Sequence, residues 1–423
     1  MNKKPKLIFY VLIATLPIVA TLIIMLASGT GVKPSAPLNQ YEASVEQGRY
    51  LARAGNCAAC HTSSNGEELA GGLEFHTPFG VLYSTNITPD KATGIGEWSF
   101  EEFYRSMKAG IRPDGSHLYP AFPYTDFAKM TDEDIASLFL YLQSVEPVVA
   151  TPPANELDFP FNFRPLLSGW KLLFHETTPF QPDPAQTDSW NRGAYLVEGP
   201  GHCGACHTPR NLFGAEQESL AMTGGTHMGE IKRGGQRLWS AANLTADTTG
   251  LASWSEEDIV AYLKTGISDQ AIVHGPMTEV VMDSTRHLSE ADLQAMASYL
   301  KSLPAKRLTI DPPPTEEALA SGEIIYTVHC GSCHLPTGAG AEGLGVPLGG
   351  NALVQAPSPA SLINVILYGP HLPPRPFSVD RSNMKMFGKR LSDEDIALIA
   401  SYVRASFGNQ AGAVTVEQVK AQR

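Results

Sequence analysis

The chain has few cysteines and no excess of positive charge. All six cysteines fall in three short pairs, Cys57/Cys60, Cys203/Cys206 and Cys330/Cys333. None is therefore left over for a structural disulfide or for a separate catalytic thiol. The net charge of −12 argues against a nucleic-acid-binding protein, because that function needs a concentrated basic surface. With 43% hydrophobic residues among its 423, the chain can bury cores without covalent staples.

The amino terminus holds one long apolar run without charge. Three lysines precede residues 7–27, "LIFYVLIATLPIVATLIIMLA". Positive charge before such a run keeps that end in the cytoplasm, and the run is long enough to span a bilayer. A cleaved signal peptide is the alternative, because "LASG" near the end of the run is compatible with processing. Either interpretation places the rest of the chain on the periplasmic face of a bacterial inner membrane.

Three similar segments follow one another along the chain. Each begins with a glycine-containing helical stretch that leads into a cysteine pair. Each ends with an amphipathic helix, "TDEDIASLFLYL", "SEADLQAMASYL" or "SDEDIALIASYV", in which Ser or Thr precedes Asp by three residues, a helix-start signal. Apolar residues at helical spacing predict one buried stripe on each closing helix: Ile135, Leu138, Phe139 and Leu142; Leu293, Met296, Ala297 and Leu300; Ile396, Ile399, Ala400 and Val403.

A histidine directly follows the second cysteine of every pair. The three motifs are Cys57-Cys60-His61, Cys203-Cys206-His207 and Cys330-Cys333-His334. A zinc site would need two such pairs close together, and a thioredoxin-like redox site would need a βαβ setting. Cys-x-x-Cys-His is instead the pattern of c-type haem attachment, in which the thiols bond to the porphyrin and the histidine binds the iron. The motifs predict three covalent haem c groups, with iron bound by His61, His207 and His334.

The sixth iron ligand decides between electron transfer and chemistry at the iron, because a distal methionine raises the potential of the haem. In the third repeat, Met384 lies just before the closing helix, and its neighbour Met386 is the rival. In the second repeat, Met277 lies on a Gly-Pro turn, and Met282 is the rival. We predict Met384 and Met277 as ligands of their irons.

In the first repeat several residues compete for the same role. Met130 lies just before the closing helix, whereas Met107 falls inside a predicted helix. We predict Met130 as the ligand of the first iron, with His117 as the second choice. An isolated methionine is more often an ordinary core residue, so the assignments rest on the late position that recurs in every repeat.

Together these features predict a mainly α fold of three tandem class I cytochrome c-like domains behind an N-terminal membrane-anchor helix. Pro-rich and aromatic stretches separate the repeats. The predicted boundaries are 1–36 for the signal or anchor segment, 37–150 for the first domain, 151–187 for a linker, 188–305 for the second domain, 306–317 for a second linker, 318–410 for the third domain and 411–423 for a tail without a strong pattern.

From about residue 41 to residue 423, the chain resembles the triheme cytochrome c subunits of bacterial membrane-bound dehydrogenases. These include quinoprotein alcohol dehydrogenases and flavin-dependent gluconate, sorbitol and fructose dehydrogenases. Matching stretches include "GGLEFHTPFGVLYSTNITPD", "FNFRPLLSGWKLLF", "GAYLVEGPGHCGACHTPRN" and "FGKRLSDEDIALIASYVRASFGNQA". The distal methionines of the family match Met277 and Met384. Some members have a methionine in "YPAxPY", where this chain has Phe122.

The resemblance implies an electron-transfer subunit without a substrate-converting site of its own. It would pass electrons from a catalytic dehydrogenase subunit of flavin, PQQ or molybdenum type through three haems to ubiquinone in the inner membrane. Two alternatives remain open. One is a cytochrome c subunit of a terminal oxidase. The other is a self-contained multihaem peroxidase or reductase, which would need a five-coordinate iron, and the first repeat is the place for it.

Overall fold

The computed structural model describes residues 31–230, 236–308, 311–341, 343–370 and 384–423. Over these ranges the chain is mainly helical, as the sequence predicts. The predicted anchor run, residues 7–27, lies outside them. Among the described residues, no helix has both the length and the apolar character needed to cross a membrane.

The helices follow the three repeats. The first repeat contains α1 (Val45–Ala54), α2 (Cys57–His61), α3 (Phe100–Ala109), α4 (Tyr124–Phe127) and α5 (Asp132–Leu142). The connection and the second repeat contain α6 (Leu166–Phe174), α7 (Asp188–Glu198), α8 (Gly204–His207), α9 (Glu256–Thr265), α10 (Met277–Glu279) and α11 (Glu290–Ser302). The third repeat contains α12 (Glu316–His329), α13 (Gly331–His334), α14 (Ala360–Tyr368), α15 (Asp393–Ala405) and α16 (Val416–Gln422).

The predicted closing helices are α5, α11 and α15. Thr131, Ser289 and Ser392 cap them, and each side-chain oxygen accepts a hydrogen bond from the backbone N–H three residues later. Every residue of the three predicted apolar stripes is at most 7% exposed. The cap and the stripe therefore act together, because the cap sets where the helix starts and the stripe sets which face it buries.

A glycine lies where each lead-in helix crosses its closing helix. A Cβ atom on Gly48 of α1 would lie 1.9 Å from the Ser137 carbonyl oxygen of α5. On Gly193 of α7 it would lie 2.0 Å from the Ala295 oxygen of α11, and on Gly322 of α12 it would lie 2.4 Å from the Leu398 oxygen of α15. Only a residue without a Cβ atom allows such close approach of two helix backbones.

Three separate hydrophobic clusters surround these crossings. The first core cluster contains Leu51, Met107, Met130 and Ile135. The second contains Leu196, Leu263, Leu288 and Leu293, and the third contains Tyr326, Ile363, Ile396 and Val419. Each cluster joins a lead-in helix to the closing helix of the same repeat.

Short strands add two small sheets that the sequence patterns do not reveal. Strands β1 (Glu74–Thr77), β2 (Gly80–Tyr83) and β3 (Glu156–Leu157) form one antiparallel sheet, and β4 (Gly225–Glu230) pairs with β5 (Gln236–Ala241). The strands are four to six residues long, apart from the two-residue β3, too short for a clear alternation.

The predicted linker between the first two repeats packs against both. Lys171 of α6 is buried, and its Nζ donates to the carbonyl oxygens of Ala109 (2.6 Å) and Gly110 (2.7 Å). The Trp170 indole N–H donates to the Phe213 carbonyl at 2.9 Å. Leu172 and Leu173, on the outer side of α6, are 56% and 72% exposed. The helix thus buries its cation and exposes leucines.

The tail forms a helix, although its sequence shows no strong apolar pattern. A capping box between Thr415 and Gln418 starts α16, which packs against α15 and α14. Val419 is fully buried in the third core cluster. The Thr-x-x-Gln signal is present in the sequence and could have identified this helix start.

The glycine crossings predict a large difference between two Gly→Ala variants. Gly193→Ala is expected to destabilise the protein by about 1–3 kcal/mol, since the new methyl group must displace the α11 backbone. Gly169→Ala, on exposed α6 with nothing within 4 Å of its Cβ position, is expected to stabilise by about 0.5–1 kcal/mol. Urea unfolding followed by circular dichroism measures both, and equal midpoints for the two variants would contradict the close crossing.

Candidate haem-binding sites

Each lead-in helix delivers a cysteine motif at its carboxyl end. After α1, Asn56 takes a left-handed conformation (φ 49°) and α2 starts at Cys57. After α7, His202 takes a similar conformation (φ 37°) directly before Cys203. In the third repeat, Cys330 itself ends α12, and α13 follows at once. The helix crossing therefore also fixes where the motif lies relative to the closing helix.

The three motif histidines share one hydrogen-bonding arrangement. The Nδ1 atom of His61 lies 2.6 Å from the Thr85 carbonyl oxygen. His207 Nδ1 lies 2.7 Å from the Ala242 oxygen, and His334 Nδ1 lies 2.9 Å from the Val346 oxygen. A carbonyl accepts only from a protonated nitrogen, so each Nδ1 carries the proton and each Nε2 keeps its lone pair. This is the form in which histidine binds a metal.

Burial keeps these histidines neutral. It lowers the pKa of His61, His207 and His334 below the ordinary value, and the carbonyl bond opposes this shift only in part. An uncharged imidazole with a free Nε2 fits an iron ligand. The residues whose carbonyl oxygens accept from the motif histidines were not predicted from the sequence. The parallel stretches "YSTNITPD" and "SAANLTAD" contain Thr85 and Ala242, but no such parallel marks Val346.

The cysteines do not fit thiol redox chemistry. Burial raises the pKa of Cys57 and Cys203 to about 12 and that of Cys330 to about 11. They are therefore neutral thiols at pH 7, whereas a redox-active pair needs a thiolate. No group of three or more His, Cys, Asp or Glu residues in the described parts of the chain could hold a metal ion. The donor set fits covalent haem, which needs two thiols and one imidazole per site.

Two of the predicted distal methionines are partly buried and pack against the same core cluster as a cysteine of their motif. Met277 and Cys203 both pack against the second core cluster, and Met384 and Cys330 both pack against the third. Their rivals, Met282 and Met386, have other surroundings. The Met282 sulphur lies 3.9 Å from Arg286 Nη1, and Met386 is 60% exposed.

Met130 and Met107, the methionines of the first repeat, differ from Met277 and Met384 in being fully buried. Both belong to the first core cluster, against which Cys57 packs, and they are 1% and 4% exposed. The Lys108 ammonium donates to the Met130 carbonyl. His117, the second choice, has its Nδ1 3.1 Å from Lys171 Nζ, on the side of α6.

The second repeat contains buried polar atoms that suit an acidic cofactor. The indole N–H groups of Trp239 and Trp254 and both ring nitrogens of His227 are buried, with no hydrogen-bond partner among the described residues. A buried donor without a partner costs about 1–3 kcal/mol. Carboxylates of a bound porphyrin would satisfy such donors.

The first two repeats face each other through reciprocal hydrogen bonds. Tyr50 of α1 donates to Asp292 of α11 at 2.5 Å, and Tyr195 of α7 donates to Asp134 of α5. Tyr50 and Tyr195 each follow their crossing glycine by two residues, and both aspartates are third in their closing helices. The two repeats are thus related by an approximate two-fold axis, as in an isologous dimer.

The two cysteine motifs meet near this axis. His202 Nε2 lies 3.1 Å from the Gly55 carbonyl oxygen. His202 directly precedes the second motif, and Gly55 lies two residues before the first. The Ser284 hydroxyl donates to the Ala54 carbonyl at 3.2 Å. Cofactors held by the first and second motifs would therefore be neighbours.

The third repeat docks against β5 of the second. Ser361 of α14 and Ser240 of β5 exchange hydrogen bonds of 2.9–3.1 Å, and the Asn364 amide donates to the Leu238 carbonyl at 2.9 Å. Strand β5 leads directly into Ala242, whose carbonyl holds His207. The third repeat is thus fixed to the segment that orients the second motif histidine.

The reciprocal pairs predict that loss of one hydroxyl weakens the interface. Tyr195→Phe or Tyr50→Phe is expected to cost about 1.5–3 kcal/mol, because each removes a hydrogen bond to a charged, partly buried carboxylate. Tyr83→Phe is the control, since its hydroxyl bonds Glu156 at the exposed surface, and its effect should stay within about 0.5 kcal/mol. Denaturant unfolding compares the three variants; similar midpoints would rule out the interface role.

Comparison with known proteins places the chain in a family. The cytochrome c family model matches residues 45–146, and the model described as cytochrome c oxidase, cbb3-type, subunit III matches residues 317–403. The cytochrome c subunit of alcohol dehydrogenase (quinone) from Gluconacetobacter polyoxogenes is 41% identical over 89% of this chain and 83% of its own length. The fructose dehydrogenase cytochrome subunit of Gluconobacter japonicus is 38% identical over 95% of this chain and 87% of its own.

A further relative is much longer than this chain. It is a nicotinate dehydrogenase subunit of Pseudomonas putida, 42% identical over 93% of this chain, which spans only 33% of that protein. The relatives whose length this chain spans almost completely are themselves cytochrome subunits. The chain therefore belongs to the family of cytochrome c subunits of bacterial dehydrogenases.

Proposed function

We propose that this chain carries three covalent haem c groups and passes electrons from a catalytic dehydrogenase subunit to the quinone pool. The observation that carries the proposal is the shared arrangement of His61, His207 and His334. Each donates Nδ1–H to a backbone carbonyl and keeps Nε2 free. Three equivalent preorganised imidazoles, each beside a cysteine pair, suit three iron centres.

The residue roles follow from this arrangement. The six cysteines would bond the porphyrins, the three histidines would bind the irons, and Met277 and Met384 would bind two of these irons as well. The haem supplies one-electron chemistry when bound. The protein would hold the groups in fixed positions, and the motif histidines are partly buried. The three core clusters support three cytochrome c domains, with the predicted ranges 37–150 and 188–305 for the first two. The third extends beyond its predicted range 318–410, because Val419 of α16 packs in the third core cluster.

The relatives support a catalytic dehydrogenase as the partner. Their names specify alcohol (quinone), fructose, gluconate and nicotinate dehydrogenases. The family resemblance implies that the partner's own cofactor is of flavin, PQQ or molybdenum type. We place the protein on the periplasmic face of the inner membrane, with residues 1–36 as signal or anchor and ubiquinone as acceptor. The covalent haems fit this location, because attachment in bacteria takes place outside the cytoplasm.

A cytochrome subunit of a terminal oxidase is the second candidate. Residues 317–403 match the model for subunit III of cbb3-type oxidases. That match is confined to the third repeat, whereas the dehydrogenase subunits align with 89–95% of the chain. The whole-chain similarity therefore favours the dehydrogenase.

The haem count tests the first part of the proposal. The purified protein is expected to carry three covalent haems by pyridine haemochrome and by the mass of the denatured chain. Cys203→Ser/Cys206→Ser should carry two, because the second porphyrin loses both its thioether bonds. Ser332→Ala is the matched control, since it changes an exposed residue inside the third motif, and it should keep three. Fewer than three haems in the unaltered protein would refute the assignment.

Capture of the partner tests the second part. Tagged protein is extracted from its native membrane in mild detergent, and bound proteins are identified and quantified by mass spectrometry. A dehydrogenase in near-equal amount is the expected result, and its cofactor reveals the substrate class. Stoichiometric binding of an oxidase core would replace the dehydrogenase assignment with the second candidate.

A further inference from the structure

In each of the first two repeats, a segment connects the third helix to the closing helix. Backbone hydrogen bonds within this segment allow the two repeats to be aligned. Gly110 and Gly266 end α3 and α9 in left-handed conformations (φ 60° and 76°). The Leu118 N–H then donates to the Gly110 carbonyl, and the Val273 N–H donates to the Gly266 carbonyl, both at 2.7 Å. Leu118 and Val273 are therefore equivalent positions.

Counting onward from this pair gives the residue equivalent to Met277. Met277 is four residues after Val273, and Phe122 is four residues after Leu118. Both side chains are partly buried. Phe122 packs against the same core cluster as Cys57, and Met277 packs against the same cluster as Cys203. The first repeat thus places a phenyl ring where the second places a thioether.

Met130 aligns with a different residue, Leu288. Both directly precede the capping residue of the closing helix, Thr131 or Ser289. Lys108 donates to the Met130 carbonyl, as Lys264 does to the Leu288 carbonyl at 2.9 Å.

The burial of Met130 and Leu288 supports the same equivalence. Met130 and Leu288 are 1% and 2% exposed. Surrounding protein side chains therefore enclose Met130 as they enclose Leu288. The Met130 thioether packs as an ordinary core side chain.

The other candidates of the first repeat are also accounted for. Met107 and Leu263 each lie three residues before the glycine that ends their helix, and they are 4% and 7% exposed. The ring of His117 contacts Lys171 of α6 at 3.1 Å, and its carbonyl accepts from Arg164 at 2.7 Å. The two methionines occupy leucine positions, and the histidine is held on the linker side.

We propose that the first haem has Phe122 in place of a sulphur ligand, and that its iron can bind a small neutral diatomic ligand such as carbon monoxide. The proposal rests on haem attachment at Cys57-Cys60-His61. Under this proposal Met130 is not the sixth ligand of the first iron, and the first repeat is a ligand-binding site. The second and third irons are closed by Met277 and Met384.

The test is carbon monoxide binding to the dithionite-reduced protein, followed by the change in the haem Soret absorption. The unaltered protein should bind one equivalent per chain. Phe122→Met supplies the missing thioether and should abolish binding. Met130→Leu should bind one equivalent like the unaltered protein, and Met277→Leu should bind two because it opens the second iron.

Two results would overturn the proposal. In one, the unaltered protein binds no carbon monoxide and Met130→Leu binds one equivalent, so that Met130 is the ligand. In the other, neither protein binds it, so that another residue closes the first iron. Pyridine haemochrome on the same samples separates these results from failure of the proposed function, which would appear as fewer than three haems.

Discussion

The close approach of two helices at a glycine is the constraint on which every candidate haem site depends. Gly48, Gly193 and Gly322 each let a lead-in helix touch the backbone of its closing helix. The cysteine motif directly follows the first helix, and the segment with the distal candidate directly precedes the second. Fixing the crossing therefore fixes both sides of the site at once, with no ligand residue on the crossing itself.

Sequence patterns predicted the parts of the structure that depend on local chemistry. The caps of α5, α11 and α15 and their apolar stripes are where the spacing places them, because both follow from residues a few positions apart. The carbonyl partners of the motif histidines could not be predicted in this way. Thr85, Ala242 and Val346 act through the backbone, so their side chains give no signal. Strand β3 was missed because its two residues pair across a long separation in sequence.

The approximate two-fold axis explains why the first two repeats have kept matching polar residues. Tyr50 needs Asp292, and Tyr195 needs Asp134, so a change in either repeat leaves a buried group of the other without its partner. The third repeat does not contribute to these two Tyr–Asp pairs, and it is fixed to β5 of the second repeat instead. The second repeat therefore contacts both of the others, the first through the reciprocal pairs and the third through β5.

The proposed difference between the irons bears on the direction of electron transfer. A methionine ligand raises the potential of a haem, so the proposed ligation would give the first haem, with Phe122 in place of a thioether, a lower potential than the second and third. Electrons move spontaneously from lower to higher potential, and the first motif lies next to the second through His202 and Gly55. Under the proposed ligation, electrons would therefore enter at the first repeat and pass to the second.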